Sequence, residues 1–589
     1  MKTDSILTRS VFNSLLTVNI IAMVSATLGM VVDSVFTGQF LGRDAVAAAG
    51  LSIPPILLCN VIAGLISSGN SIVCNRYMGK AEIEEVNRTF STSALAAILM
   101  CLPVPVLMFI FSRQIGEMIC AGASPEVTAL TADYLRWYAP GLAVMGLYMV
   151  LSGIMVLDND RMRAVRALFV TLAADAVLDL MNVLIFHGGM AGMGLATSAS
   201  VFCGLFVVLG HFRKKRNMIR YSLEFIDPGK LKDVFASGFS SVISQLCLCL
   251  KLLFLNLILK KIGGEDALAA LSVANSAFVL VVSFSRALTN TVKSISSLFF
   301  GEENRRAIRD TFVISQKSIL KFFGVITAVY LIFAPYIAGM FIDNSSDGAL
   351  RTAAFLLRCF AADFMLAAAS HPLEGILLAA GNLKLNYTIM LLRDLLFPLL
   401  FSLTGGSLFG MVGVGVGLAL GGLASLVVCF VIPLIHNRQF PASAEDFLLL
   451  PRDFGPADGE LFETTIHTRE GVMEASEKVW EFCRENGSDD RTAMLFSLFV
   501  EEMAGNTFAH GFTAKREGYR SIDLRLIYSE RERIIRFRDN GIPFDPVDWV
   551  RKNRPQDPAS AIGIRMIVGL AKDVQYIPSL HLNNLLIRL

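Results

Sequence analysis

Three carboxylates stand inside apolar runs of this chain, where a charge is expensive to place. Asp33, in MVVDSVFTGQFLG, lies near the end of a run that begins at Val11 and is long enough to cross a bilayer. A carboxylate at that depth costs about 2.5–3.5 kcal/mol on insertion scales. Asp175 and Asp179, in DAVLDLMNVLIF, are four residues apart and so share one helix face. Carboxylates gathered in a low dielectric share protons or hold a small cation between them. Such a set could take up a proton or a sodium ion and release it when the cavity opens to the other side. The plainer alternative is that each aspartate bonds a nearby Ser, Thr or backbone group. Glu374, in HPLEGILLAAG, could face a second cavity or bind a cation, or sit in a bent, hydrated helix beside His371 and Pro372. Lys251 could neutralise a carboxylate such as Glu374, or snorkel.

The elements that must position these residues are membrane helices. Of 589 residues, 54% are hydrophobic and 17% charged, and the mean hydropathy is +0.58. Soluble domains carry about 25% charged residues. Apolar runs continue to about residue 440, after which charge density rises and no run of spanning length remains. Spans of about 20 apolar residues suit a hydrocarbon core. Twelve are placed near 11–41, 45–73, 89–111, 130–157, 167–187, 190–212, 238–260, 268–298, 311–341, 352–380, 385–404 and 411–435. Basic residues cluster after the second (Arg76, Lys80, Arg88), fourth (Arg161, Arg163, Arg166), sixth (HFRKKRNMIR) and eighth (Arg305, Arg306, Arg309). By the positive-inside rule both termini are then cytosolic, in a multi-pass protein of the cell membrane. The start, MKTDSILTRS, precedes a run too long for a signal-peptide core and reads as a retained first helix. Pro54-Pro55 is expected to bend the second span, and YLRWYAP around Trp137 to form an interface belt. The ten cysteines read as small buried hydrophobes rather than disulfide or zinc partners.

The membrane region repeats itself. RDAVAAAG at 43–50 faces EDALAALS at 265–272, an offset of 222 that also aligns Gly79 with Gly301 and Gly153 with Gly375. MAGMG at 190–194 meets MVGVG at 411–415, one residue out of step. Six spans repeated once in the same orientation describe two parallel six-helix bundles, the architecture of an alternating-access transporter. The halves are drawn at 1–220 and 221–437, with a soluble unit at 438–589. At this offset Asp33 faces Leu255 and Asp179 faces Phe401, so the first bundle holds carboxylates the second lacks there.

DSVFTGQFLGRDAVAAAGLS after Asp33, and DAVLDLMNVLIFHGGMAGMGLATSAS at 175–200, resemble signatures of multidrug and toxic compound extrusion (MATE) transporters. The likeness covers roughly residues 10–435. It implies efflux of amphipathic, often cationic compounds against an inward flow of protons or sodium. By motif, Asp33 matches the first-helix aspartate, Asp179 the aspartate of an Asn-x-x-x-Asp pattern, and Thr197 the threonine of GLAT. Asp175 stands where the family has asparagine, and the first-helix proline of some archaeal relatives has no counterpart before Pro54.

Residues 438–589 read as one α+β domain, with helical spacing in EGVMEASEKVWEFCREN and RTAMLFSLFVEEMAGNTFAHGF and strands in SIDLRLIYS, RIIRFRDN and LLIRL. EEMAGN and DNGIPFDP resemble the nucleotide boxes of the GHKL fold shared by histidine kinases and anti-sigma-factor kinases. The resemblance implies ATP or ADP bound with magnesium, and a serine-protein-kinase-like activity if a hydroxyl were presented. Glu502 and Asn506 lie one turn apart, so Asn506 can hold magnesium near the phosphates and Glu502 can act as general base. Asp539 would accept from the adenine amine, beside Gly541, Pro543 and Phe544. The family's glycine-rich lid is reduced here to SAIGI at 560–564, keeping only Gly563.

The expectation is a secondary antiporter that exports amphipathic or cationic small molecules in exchange for protons or sodium, with a regulatory nucleotide-binding tail. Its partners are a small-molecule substrate, the lipid bilayer and a cytosolic regulatory protein, with no nucleic acid. The alternatives are a membrane-bound sensor acting on an anti-sigma-type cascade, and a flippase for lipid-linked saccharides. No G-x-x-x-x-G-K-[ST] loop is present, so ATP is not expected to drive transport.

Overall fold

The computed structural model describes residues 6–120, 124–213, 217–340, 347–451, 453–457, 459–512, 520–530, 532–552 and 562–589. Up to Asn437 every regular element among the described residues is a helix. Among the described residues ten helices are long and apolar enough to cross a membrane, or eleven if the bent pair Ala270–Val279 and Val281–Gly301 counts as one span. The expected count of twelve differs because Leu383–Asn437 runs for 55 residues, far more than one crossing needs. Gly410 breaks that stretch with φ 61° and ψ −139°.

The repeat explains the break. Gly189, which opens the helix Gly189–Phe212 after Arg161–Phe186, has φ 58°, and it aligns with Gly410 at the offset of MAGMG and MVGVG. Likewise Gly42 (φ 87°) and Gly264 (φ 61°) align at 222 and turn the chain after the first span of each half. Positive φ costs glycine nothing, so the same joints recur in both bundles. Pro54 and Pro55 stand where the second span, Arg43–Gly79, is interrupted. They lie in the first turn of helix Ile53–Gly79, after a break at Ser52, where no backbone donor is lost.

The halves meet at Gly79 and Gly301. A Cβ on Gly79 would come within 2.0 Å of the Leu298 carbonyl, and one on Gly301 within 2.0 Å of the Arg76 carbonyl. Arg76 and Leu298 are themselves 222 apart, so the contact is symmetric and only glycine fits it.

After Asn437 the chain forms a five-stranded antiparallel sheet of order β1-β2-β3-β5-β4. The strands are β1 (Leu461–Ile466), β2 (Ile522–Tyr528), β3 (Arg533–Asp539), β4 (Asp573–Ser579) and β5 (Leu582–Arg588). Ile522, Leu524, Leu526, Ile535 and Phe537 point to one face and pack with Phe496, Phe499 and Val500 of helix Asp490–Asn506. The opposite face lies on the membrane helices, where Ile577, Leu580 and Leu582 join the main membrane core. Its contacts include Gly79, Asn159, Glu302 and Glu303, so the loops after the second, fourth and eighth spans share a side with the tail.

All ten cysteines are free, eight of them buried, and no group of three or more His, Cys, Asp or Glu among the described residues is arranged to hold a metal.

Candidate functional site

Asp33 ends helix Ile6–Phe36 and is followed by a π-helical turn, Thr37–Leu41. Asp179 ends Arg161–Met181 and precedes another, Asn182–Phe186. The extra residue in such a turn re-aims the side chains around it, and these turns gather at functional sites. Asp179 is fully buried, Asp175 nearly so and Asp33 half-buried. Asp33 and Asp179 come close enough to share a proton, with the charge of Asp175 alongside both. Asp175 faces the hydroxyls of Ser200 and Thr197, and Thr197 also donates to the Met193 carbonyl at 3.1 Å. Neither oxygen of Asp179 receives a donor among the described residues, nor does Oδ1 of Asp175. Local bonding therefore accounts for part of Asp175 and for none of Asp179. Beside the cluster a cavity of about 320 Å³ is lined by Asp33, Asp175, Ser25, Leu28, Phe169 and Leu172.

The expected aromatic belt divides. Trp137 is exposed and meets Phe109 edge-on at 6.1 Å, while Tyr134 and Tyr138, 5.6 Å apart, lie within electrostatic reach of Asp33 and Asp175.

Glu374 belongs to a different network. Arg393 donates to it at 2.9 Å, to Asp394 at 2.7 Å and to the Ser370 hydroxyl at 3.2 Å. Arg393 and Asp394 sit on a third π-helical turn, Leu392–Leu396. Lys251, for which neutralising Glu374 was one of two alternatives, forms no ion pair with it among the described residues. The network faces a cavity of about 360 Å³, lined by both halves, that also receives Lys251, Arg286 and Lys293. Arg286, Lys293, Arg393, Asp394 and the nearby Asp363 were not singled out in the sequence. Each is a charge inside an apolar run, the same signal that marked Glu374.

In the tail, Asn506 ends its helix and a fourth π-helical turn, Thr507–Gly511, follows with His510 in it. Asp539 Oδ1 accepts from the Gly541 amide and from Asn583 Nδ2, each at 2.7 Å. The Ile542 amide donates to the Gly511 carbonyl at 2.9 Å, pinning the DNG loop to the helix end. Pro543 and Phe544 are exposed beside it. Gly563 opens the last helix directly against Glu502, whose carboxylate would collide with a Cβ there at 1.9 Å. The structure thus brings Asp539 and Gly541 against the π-helical turn that follows Asn506 and sets Gly563 against Glu502. The lid residues Ser560 and Ala561 lie outside the described residues.

Two bundles of membrane helices related by a sequence repeat, with cavities in and between them, form a transporter architecture. The MatE family profile matches residues 19–181 and 241–404, and the chain belongs to that family. It is 22% identical over 438 residues to the multidrug export protein MepA of Staphylococcus haemolyticus, covering 73% of this chain and 95% of that one. Among solved structures, MATE in complex with MaL6 superposes with a TM-score of 0.67 at 21% identity, over 72% of this chain and 95% of that chain. An outward-facing multidrug resistance MATE transporter of the MOP superfamily superposes at 0.66 with 22% identity, over 73% and 97%.

Proposed function

We propose that the protein is an ion-coupled exporter of amphipathic small molecules in which Asp33 and Asp179 take up and release the coupling ion. One observation carries the reading: two carboxylates face each other inside the first bundle, and Asp179 has no donor among the described residues on either oxygen. Like charges at that distance are tolerated only with a proton or a small cation between them. Proton or sodium occupancy of the pair is therefore the step that couples a gradient to movement, with Asp175, Thr197 and Ser200 around it. The name of the relative MepA supports multidrug export as the activity. The test is flux in proteoliposomes under an imposed proton or sodium gradient. Asp33→Asn is expected to abolish gradient-driven efflux, and normal flux in that variant would overturn the coupling role.

We further propose that the tail lies on the cytosolic side and binds ATP or ADP with magnesium to regulate transport. Asp539 and Gly541 would hold the adenine, Pro543 and Phe544 its face, and Asn506 the magnesium, while the bound nucleotide supplies a transferable phosphate. The DNG loop pinned to the helix end supports this. The contact of Gly563 with Glu502 speaks against Glu502 acting as a base in this arrangement. Magnesium-ATP should bind the purified full chain and lose at least tenfold in affinity on Asp539→Asn. No binding by the unaltered chain would leave the tail as a protein-binding module, open to a cytosolic regulatory partner.

A further inference from the structure

We infer that the cavity between the halves receives an organic anion, a molecule with an apolar body and a phosphate-like or carboxylate group. The inference rests on the transport reading and names the substrate class of that transporter. Four cationic side chains, Lys251, Arg286, Lys293 and Arg393, line the cavity. Arg393 is matched twice, by Glu374 at 2.9 Å and Asp394 at 2.7 Å. That uses both carboxylates on the lining and leaves Lys251, Arg286 and Lys293 with no ion pair among the described residues.

Lys293 is 9% exposed, and its Nζ is held by Ser68 Oγ at 3.0 Å and Asn290 Oδ1 at 3.1 Å. These are dipoles that aim the ammonium, and Glu374, already paired with Arg393, acts on it at longer range. Arg286 senses Asp394 only at longer range. Lys251 senses Asp394 and the half-buried Asp363, and Asp363 lies off the lining, packed against Gly422. His371 is engaged with Glu374 at 3.6 Å. The Ser285 hydroxyl, also on the lining, is buried without a partner among the described residues.

Unmatched cations inside a membrane protein are costly and are kept where something answers them. A cationic ligand would add to the repulsion, whereas an anion would take charge-assisted hydrogen bonds from Lys251, Arg286 and Lys293. Leu248, Val282 and Phe364 on the same wall suit an apolar body, and about 360 Å³ is the size of a small-molecule site. The coupling cation and the substrate anion then occupy different places, the first in the amino-terminal bundle and the second mainly against the other half.

The test is calorimetric titration of the detergent-purified full chain with 1-naphthyl phosphate, lysophosphatidate and 1-naphthylmethylammonium. Both anions should bind and the cation should not, and the double variant Lys251→Gln, Arg286→Gln should weaken anion binding at least tenfold. Should the double variant fail to elute as a single species, Lys251→Gln alone should still weaken it severalfold, since that side chain holds no ion pair among the described residues. A preference for lysophosphatidate assigns the site to a lipid headgroup, and a preference for naphthyl phosphate to a soluble anion; either supports the inference. Equal or tighter binding of the cation, no binding of either anion, or wild-type affinity in the variants overturns it. Binding is read without a gradient, so Asp33→Asn should keep it while losing flux, which separates a failure of this inference from a failure of the coupling reading.

Discussion

Asp179 has no donor on either oxygen among the described residues, whereas Arg393 has carboxylates on two sides. Replacing each should therefore do opposite things. Arg393→Met leaves the buried Glu374 with His371 alone at 3.6 Å and takes from the half-buried Asp394 its ion pair, a loss of about 3–5 kcal/mol, read as a fall in the thermal midpoint of the detergent-solubilised protein. Asp179→Asn removes one of two like charges, so the midpoint should hold or rise while gradient-driven flux disappears. This difference between anchor and working group was only half legible in the sequence. Spacing put Asp175 and Asp179 on one face, and a charge in an apolar run marked Asp33 and Glu374. The Glu374–Arg393 pair joins residues 19 apart on different helical segments, and no local pattern reports such a meeting. The unmatched cations of the central cavity were missed because their meaning lies in which partners they lack.

At the scale of elements, the repeat carried most of the fold. The offset of 222 pairs Gly79 with Gly301 in the sequence, and those two residues touch across the molecular pseudo-symmetry. Gly79→Ala or Gly301→Ala places a methyl about 2.0 Å from a carbonyl oxygen, too close for van der Waals contact. Either change should hold the tail-side ends apart, seen as a longer spin-label distance between exposed Glu84 and Lys384. That pair would be labelled after replacing the exposed Cys203 and Cys249. The four π-helical turns left no trace in composition, because one extra residue in a turn changes geometry and not hydropathy. Strands β2, β3 and β5 were visible from their apolar alternation. β1 (LFETTI) and β4 (DVQYIPS) were not, since they mix polar with apolar residues and are defined by their neighbours in the sheet.

At the scale of the whole molecule, the tail is held by three arginines on the outer face of its sheet. Arg525 donates to the carbonyls of Glu302 and Glu303 at 2.8 and 2.9 Å. Arg536 binds the Glu302 carboxylate at 2.8 Å and the Gly79 carbonyl at 3.2 Å, and Arg538 binds the same carboxylate. Burial pushes the Glu302 carboxyl up, but Arg538 and Arg536 outweigh it and hold it below its ordinary 4.5. A carboxyl held low in the docked state strengthens docking above its ordinary value and loses that contribution as pH falls through the lowered one. Docking should thus be steady near neutrality and weaken only below about pH 4.5. Glu302→Gln should loosen it already at pH 7 and flatten the acid response, followed by a spin-label distance from Glu84 to exposed Asp490. Through Gly79 and Glu302 the sheet grips one bundle with one hand and its twin with the other. Any ligand that alters the spacing of the two must alter that grip, and reciprocity then requires a tightened grip to change the ligand's affinity by the same factor.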